Sequence, residues 1–261
     1  MRVTRQKDFA NGSVYCLKLQ DGSLIETTDT FLPFYTKNAS NQKNNLLHNS
    51  DIGNRSERWM IGVSTMSGCP VGCKFCATGQ MKGWRNLSAV EIQDQVNFII
   101  GKNSSYLPSC VKEFKINYTR MGEPFLNIEN VKKAIEQISC EYPNTHHYIS
   151  TIGLKETDFS WIEGDISLQL SLHSLDEARR RDLIPINNLM TIEELGQIRT
   201  NSYLKTTLNL TLVDERDFDI EKLKKYFDPR YFFIKLSPIN PNPVSYRNNL
   251  GLGIVDQLNL I

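Results

Sequence analysis

The stretch WMIGVSTMSGCPVGCKFCATG (residues 59–79) joins an apolar run to a loop that holds three of the chain's six cysteines. The apolar run at 59–66 has the composition of a buried β-strand. Cys69, Cys73 and Cys76 follow it, with three and then two residues between them. Disulfides need pairs of cysteines, and structural zinc sites use four ligands. Three thiols in one short loop therefore predict a different kind of metal centre, placed directly after a strand.

The length and composition suit a single domain of α/β-barrel size, since the chain has 261 residues, of which 40% are hydrophobic. Its net charge of +1 neither requires nor excludes a nucleic-acid partner. The start, MRVTRQKDFANG, lacks the apolar core of a signal peptide, and no apolar run approaches membrane-spanning length. We therefore expect a cytoplasmic protein without a membrane partner, whose thiols are reduced and available to metals.

From residue 59 onward, predicted strands alternate with predicted helices. Ser88-x-x-Glu91, Ser174-x-x-Glu177 and Thr191-x-x-Glu194 have the pattern of a capping box, Asn127 precedes another helical stretch, and a last one covers 218–227. The strands are expected at 59–66, 113–119, 146–151, 166–173, 206–213 and 231–236. Parallel neighbours need crossover connections, so six strand-and-helix units predict a parallel sheet. A six-unit open barrel and a doubly wound sheet both fit this α/β pattern.

The residues before 59 form two further segments. Residues 14–32 read as a β-hairpin around Asp21-Gly22, which is a strong two-residue turn signal. Residues 36–58 are rich in Asn and Ser and lack apolar periodicity, which indicates a flexible loop. The predicted plan is an N-terminal β-hairpin extension (1–35), a polar flexible loop (36–58) and the parallel-sheet domain (59–261).

Small and polar motifs collect where the predicted strands end. MGEP (121–124) follows the second strand, STIG (150–153) ends the third, SLHS (171–174) ends the fourth and SPINP (237–241) follows the last. Parallel α/β folds place their sites beyond the carboxyl ends of the strands. The cysteine loop therefore belongs to one site with these four motifs.

An iron–sulfur cubane explains three cysteines best, because it is normally held by four and here one iron would stay open to a small molecule. A zinc ion would need a fourth ligand from His48, His146, His147 or His173, all distant in sequence. Incidental free cysteines are the remaining alternative.

The spacing CxxxCxxC, with Phe75 before the last cysteine, resembles the radical S-adenosylmethionine (SAM) superfamily. More narrowly, residues 14–247 resemble the subfamily that methylates carbon 2 or carbon 8 of adenine in large-subunit ribosomal RNA. The similar segments are KLQDGSLIET, GCKFCATG, RNLSAVEIQDQV, MGEPFLN, STIGL, SLHS, LIPIN and SPINP.

This resemblance implies a partial (β/α)6 barrel that binds a 4Fe-4S cluster and SAM. The cluster would bind to Cys69, Cys73 and Cys76, and Gly122 and Glu123 would hold the amino end of SAM. The implied contacts to the rest of SAM are Ser150, Ser171, Leu172, His173 and Asn240. One electron from a reductant such as flavodoxin or ferredoxin would cleave SAM to methionine and a 5′-deoxyadenosyl radical.

The sequence departs from the subfamily at two cysteines used for methylation. The first would lie seven residues before Cys69, where this chain has Gly62. The second lies in a C-terminal tail, and this chain ends at Ile261 without one, by natural length or by truncation. Cys16, Cys110 and Cys140 are interpreted as idle or buried thiols.

Other residues have both a functional and a structural interpretation. Glu26 matches a proton-accepting Glu of the subfamily, with an exposed hairpin carboxylate as the alternative. His146 and His147 are expected to be structural. The Trp–Arg segments RWM (58–60) and GWRN (83–86) would either stack on a base or cover the cluster. The three arginines of ARRRD (178–182) are expected on a solvated helix face.

These observations support three hypotheses. The first is a radical SAM enzyme that abstracts hydrogen from a substrate that the sequence does not identify. The second is an RNA adenine methyltransferase that is truncated or uses a variant mechanism, so RNA is a candidate substrate. The third is a protein that binds a cluster or SAM without catalysis and acts through interactions.

Overall fold

The fold is built on one nine-stranded sheet. The computed structural model describes residues 1–34, 52–211, 215–237, 239 and 242–250. The strands are β1 (Arg2–Phe9), β2 (Gly12–Lys18), β3 (Leu24–Leu32), β4 (Arg58–Gly62), β5 (Met66–Ser67), β6 (Arg85–Asn86), β7 (Glu113–Tyr118), β8 (His146–Thr151), β9 (Glu163–Gly164), β10 (Ile166–Ser171), β11 (Asn201–Ser202), β12 (Thr206–Thr211) and β13 (Phe232–Ser237). The helices are α1 (Ala89–Lys102), α2 (Ile128–Glu141), α3 (Glu177–Leu183), α4 (Ile192–Gly196), α5 (Ile220–Tyr226) and α6 (Pro243–Arg247).

The strand order decides between the two predicted architectures. The large sheet runs β1-β2-β3-β4-β7-β8-β10-β12-β13. Neighbours from β1 to β4 are antiparallel, and those from β4 to β13 are parallel. The six parallel strands follow one another in chain order, whereas a doubly wound sheet reverses direction. Within the described residues β13 pairs only with β12, so the fold is a partial (β/α)6 barrel with an N-terminal antiparallel extension.

All six predicted parallel strands are present, with two differences at their ends. The strand predicted at 59–66 stops at Gly62, because the Gln95 side-chain amide takes both backbone groups of Ser64, at 2.8 and 2.9 Å. The strand predicted at 166–173 stops at Ser171. His173 lies just beyond it in the left-handed region, with φ of 59°, and turns the chain away.

The predicted helix starts are confirmed in part. Ser88 with Glu91 and Thr191 with Glu194 form capping boxes. The box predicted at Ser174 is wrong, because α3 begins after Asp176, whose carboxylate accepts from the backbone N–H of Arg179 at 2.7 Å. Asn127 precedes α2 without capping it. Its amide instead donates to the carbonyls of Thr65 and Leu87, both at 2.8 Å, and fixes the chain beside the cysteine loop.

The N-terminal extension is larger than the predicted hairpin. β2 and β3 form that hairpin, and β1 adds an antiparallel strand that the sequence analysis missed, because RVTRQKDF has no apolar alternation. Of the loop expected at 36–58, residues 36–51 lie outside the described residues. The following residues attach to the sheet, since Arg55 makes an ion pair with Asp29 of β3 and Arg58 begins β4.

The two faces of the sheet differ in chemistry. The outer face contacts α1 and α2, as in the edge-to-face pair of Tyr15 with Phe98 and the bond between His147 and Ser139. Buried apolar residues fill this layer: Ile61, Ile116, Ile149 and Leu168 from the strands, and Ile92, Val96, Ile99, Val131, Ile135 and Ile138 from the helices. The opposite, inner face carries polar side chains. None of the described helices combines the length and hydropathy that a bilayer crossing requires.

Candidate functional site

A cleft of about 660 Å³ opens on the inner face at the carboxyl ends of the parallel strands. Its walls come from the cysteine loop, from β3 and from the ends of β7, β8, β10 and β12. They include Glu26, Cys76, Arg120, Ser150, Gln169, Ser171 and Asn209. The predicted convergence of the strand-end motifs at one site is therefore observed in the described residues.

The cysteine loop turns tightly and is held from several sides. Gly68 and Gly72 have φ of 81° and 70°, a region that glycine adopts without strain. The backbone N–H of Lys74 donates to the carbonyl of Leu183 at 3.0 Å. The side-chain amides of Asn242 and Asn248, beside α6, donate to the carbonyls of Phe75 and Lys74 at 3.0 and 2.8 Å. These bonds fix the loop between the first and last parts of the barrel.

The surroundings of two thiols in the loop, Cys69 and Cys73, disfavour the thiolate form. Burial raises the pKa of Cys69 to about 11 and holds the pKa of Cys73 well above its usual range. Such thiols stay protonated unless a metal cation compensates the thiolate charge. Within the described ranges, no three His, Cys, Asp or Glu side chains converge closely enough to share one ion.

Gly122 and Glu123 directly follow Met121, which lines the cleft. Gly122 has φ of 106°, and a Cβ there would lie 2.6 Å from Cγ of Met66 and 2.8 Å from Oγ1 of Thr65, so a larger residue does not fit. The carboxylate of Glu123 accepts from Oγ1 of Thr151 at 2.6 Å and from the backbone N–H of Ile152 at 3.1 Å. Burial raises the pKa of Glu123 to about 7.

Glu123 has no cationic partner among the described residues, although it is only 4% exposed. A buried carboxylate without a counter-charge is costly. An ammonium group bound beside it would supply that charge. The arrangement therefore fits a ligand with an amino group.

The remaining predicted SAM contacts lie along the ends of β8 and β10. The hydroxyls of Ser150 and Ser171 are 3.3 Å apart. The backbone N–H groups of Leu172 and His173 donate to the carbonyl of Asn209 at 3.0 and 3.1 Å. The buried Nδ1 of His173 has no hydrogen-bond partner, and its ring packs edge-on against Phe75 at 4.7 Å. Asn240 lies outside the described residues.

Glu26 also lies in the cleft, where it makes an ion pair with Arg120. Arg120 follows β7, and its side chain packs against Gly62 of β4. A Cβ built on Gly62 would lie 3.0 Å from Cδ of Arg120 and 2.3 Å from Oγ1 of Thr28. The position where the subfamily has a cysteine is therefore enclosed by two other side chains.

Several predicted candidates lie away from the cleft or differ from expectation. Cys110 and Cys140 are exposed, and Cys110 precedes β7 at the opposite end of the sheet. Trp59 is fully buried and donates to Asp29, so it cannot stack on a base, whereas Trp84 is 56% exposed. His147 is structural, as expected, and bonds to Tyr118 and Ser139.

The solvated face predicted for ARRRD is wrong at Arg180, which is fully buried. Its guanidinium donates to the carbonyls of Ile152 and Met190, which come from two other segments. The arginine thus satisfies buried carbonyls at the end of β8.

Sequence reasoning missed four residues that shape the site. Gln169 donates to Ser150 at 2.8 Å, and Asn209 accepts from Ser237 at 2.6 Å. Each lies between two leucines of its strand, a signal that marks an inward-facing polar position. Asn242 and Asn248 had no comparable signal, because their partners are more than 160 residues away in the chain.

A structural comparison identifies the fold. The chain superposes on a radical SAM methyltransferase from Sphaerobacter thermophilus with a TM-score of 0.66 and 24% identity, covering 93% of this chain and 68% of that protein. The shared fold, the three-cysteine loop after β4 and a relative that is 31% identical over 98% of this chain define an enzyme of the radical SAM class.

Sequence comparison narrows this class. The dual-specificity RNA methyltransferase RlmN of Helicobacter hepaticus is 31% identical over 270 residues, with 98% of this chain and 67% of that protein covered. The probable RlmN of Pseudothermotoga lettingae is 34% identical over 191 residues, covering 68% of this chain and 54% of that protein. The chain belongs to the RlmN family. It spans about half to two thirds of the length of these relatives. No protein-family model matches it.

Proposed function

We propose that this chain holds a 4Fe-4S cluster on Cys69, Cys73 and Cys76 and cleaves SAM reductively. The observation that carries the proposal is the position of the three-cysteine loop at the cleft, with the buried Glu123 carboxylate close enough to Cys69 and Cys73 that, in addition to burial, its charge raises the pKa of both thiols. When bound, the reduced cluster supplies the electron that splits SAM into methionine and a 5′-deoxyadenosyl radical, which abstracts hydrogen from the substrate.

The chain's own residues would bind and orient SAM. Glu123 supplies a negative charge for its ammonium group, and Gly122 permits close approach of the backbone. Ser150 and Ser171 offer hydroxyls to the ribose and carboxylate, and Leu172 and His173 would supply further contacts. Asn240, the remaining expected contact, lies outside the described residues. His173 contributes an unpartnered ring nitrogen in a buried position. A flavodoxin or ferredoxin in the cytoplasm is the class of partner that would deliver the electron.

RNA is the substrate class we propose, because the relatives are named as RNA methyltransferases. Gly62 offers no thiol, so the reaction does not use a cysteine at that position. Glu26 lines the cleft and is placed to accept a proton from a substrate bound there. Arg120 fixes the orientation of that carboxylate by ion pairing.

The test is anaerobic reconstitution followed by two product assays. The cluster should be lost from Cys73→Ser and retained by Cys140→Ser, a matched change of an exposed thiol away from the cleft. With SAM and a reductant, the wild type should form 5′-deoxyadenosine. S-adenosylhomocysteine and methylated RNA, assayed with added ribosomal RNA, would indicate the methyltransferase reaction. A fully loaded cluster that yields neither product would refute the enzyme assignment and favour a non-catalytic binding protein.

A further inference from the structure

Four cations lie together at the N-terminal edge of the sheet: Arg2, Arg5 and Lys7 of β1 and Lys18 of β2. All four are exposed. Arg2 lies opposite Lys18, Arg5 opposite Cys16 and Lys7 opposite Val14. Residues directly opposite one another in a sheet project from the same face. The four side chains, here called the basic strip, therefore share one face.

The basic strip and the cleft are on the same face of the sheet. Cys16 lies opposite Glu26 in β3, and Glu26 lines the cleft. One row of the sheet likewise runs from Lys7 through Val14 and Thr28 to Gly62. Adjacent strands are about 4.8 Å apart, so β1 lies about 10 Å from β3. A linear polymer bound along the strip could therefore extend into the cleft with only a few of its monomer units in between.

The charge of the basic strip is not neutralised by the described residues. None of its four cations makes an ion pair there, and the nearby carboxylates are engaged elsewhere. Glu26 pairs with Arg120, and Asp21 pairs with Arg85. Asp8 projects from the other face, opposite Ser13. A groove of about 540 Å³, lined by Arg2, Arg5, Lys18 and Cys16 among others, runs along the strip.

We propose that the basic strip binds the phosphate backbone of a single-stranded RNA and directs one of its nucleotides into the cleft. This inference rests on the proposed function, which makes RNA the substrate class. Rows of Lys and Arg that track a backbone are typical of single-strand binding, and exposed aromatic rings add base stacking. Phe9, at the end of the strip, is 51% exposed.

A single strand fits better than a duplex or a membrane surface. The cleft has the volume of a small-ligand site, which admits one nucleotide but not a helix. A bilayer surface could contact the basic strip at the edge of the sheet, but it would not enter the cleft on the same face. A single-stranded RNA therefore explains both the basic strip, which would bind its phosphates, and the cleft, which would admit one nucleotide.

The direct test compares two double variants with the same change in net charge. Arg5→Glu with Lys18→Glu reverses half of the strip. Lys102→Glu with Lys133→Glu reverses two exposed cations on α1 and α2, behind the outer face. Binding of a fluorescent 20-nucleotide single-stranded RNA is measured by anisotropy at several salt concentrations.

The strip variant should bind at least about tenfold more weakly, and its salt slope should be shallower by about 1.4, at about 0.7 per phosphate contact. The control variant should keep the wild-type slope. Equal weakening in both variants overturns the proposal. If the charge-reversal variant unfolds, the double variant Arg5→Gln with Lys18→Gln is used instead. It removes the two charges without reversing them, so the expected loss of RNA affinity is smaller.

A second readout uses the native thiols. Bound RNA should slow alkylation of Cys16, which lies in the groove, and leave Cys110 and Cys140 unaffected. Peptide mass spectrometry measures each cysteine separately. An unchanged rate at Cys16 under saturating RNA contradicts the proposal.

Two further measurements separate this inference from the proposed function. The strip variant should form 5′-deoxyadenosine without RNA at the wild-type rate. If no protein forms it, the proposed function fails, whereas the RNA affinities still test the strip. Strip-dependent binding to phosphatidylserine vesicles, without RNA binding, overturns the assignment to RNA.

Discussion

The side chain of Arg120 packs against the backbone of Gly62, in the space that a larger residue at position 62 would need. A Cβ on Gly62 would lie 3.0 and 3.2 Å from Cδ and Cγ of Arg120. Arg120 is held there by its ion pair with Glu26. A side chain at position 62 would therefore have to displace both Arg120 and Thr28.

We expect Gly62→Cys to lower the free energy of unfolding by about 1–3 kcal/mol through overpacking, without creating a methylation activity. Gly62→Ala should cost a similar amount, because the clash begins at Cβ. Arg120→Ala in the same chain should recover part of the loss. Urea unfolding measures all three variants. A Gly62→Cys protein as stable as the wild type would show that the side chains of Arg120 and Thr28 can move aside at no cost in stability.

Glu123→Gln should weaken SAM binding by about 10- to 100-fold, because a neutral amide lacks the charge that attracts an ammonium group. The amide oxygen still accepts the hydrogen bond from Thr151, but the amide nitrogen faces the backbone N–H of Ile152, so urea unfolding of the variant is measured beside its SAM affinity. Isothermal titration of SAM into the reconstituted protein gives the affinity. Glu129→Gln, an exposed change on α2, is the control and should bind normally. Wild-type affinity in Glu123→Gln would remove this residue from the SAM site.

Asn248→Ala removes a side-chain hydrogen bond to the carbonyl of Lys74, which lies between Cys73 and Cys76. A hydrogen bond of this kind contributes about 1 kcal/mol. We therefore expect the reconstituted variant to release iron to a chelator about five times faster. Asn201→Ala, which removes a similar bond to the carbonyl of Ser160, should match the wild type. Identical release rates in both variants would mean that α6 does not support the loop.

His147 should make the protein sensitive to acid. Burial lowers its pKa from 6.5 to about 4, so the unfolded chain takes up a proton at a higher pH than the folded chain does. Its contribution to stability is complete above pH 6.5 and is lost as pH falls toward 4. Between pH 7.5 and pH 5 the loss is about 2 kcal/mol.

His147→Gln carries no titrating group at this position. Urea unfolding of the metal-free protein should show a smaller drop between the two pH values in this variant than in the wild type. His173, also buried, is unchanged in both proteins and cancels in the comparison. The same pH dependence in both would assign the acid sensitivity to other groups.

The local pattern predicted much of the fold. Short runs between the helical stretches marked all six parallel strands, and capping boxes marked α1 and α4. β1 was not predicted, because an exposed edge strand needs no apolar face and its sequence therefore lacks an apolar pattern. Arg180 was misjudged because its partners, Ile152 and Met190, are distant in sequence, so nothing local indicates that it is buried.

The sequence by itself determined the three-cysteine loop, the order of strand and helix units and the motifs at the strand ends. These features depend on residue spacing along the chain. Only the tertiary structure placed Arg120 against Gly62, buried Glu123 with no cation beside it among the described residues, and aligned the basic strip with the cleft. Each of these depends on strand register and packing between segments far apart in sequence, where a shift of one residue would move a side chain to the other face.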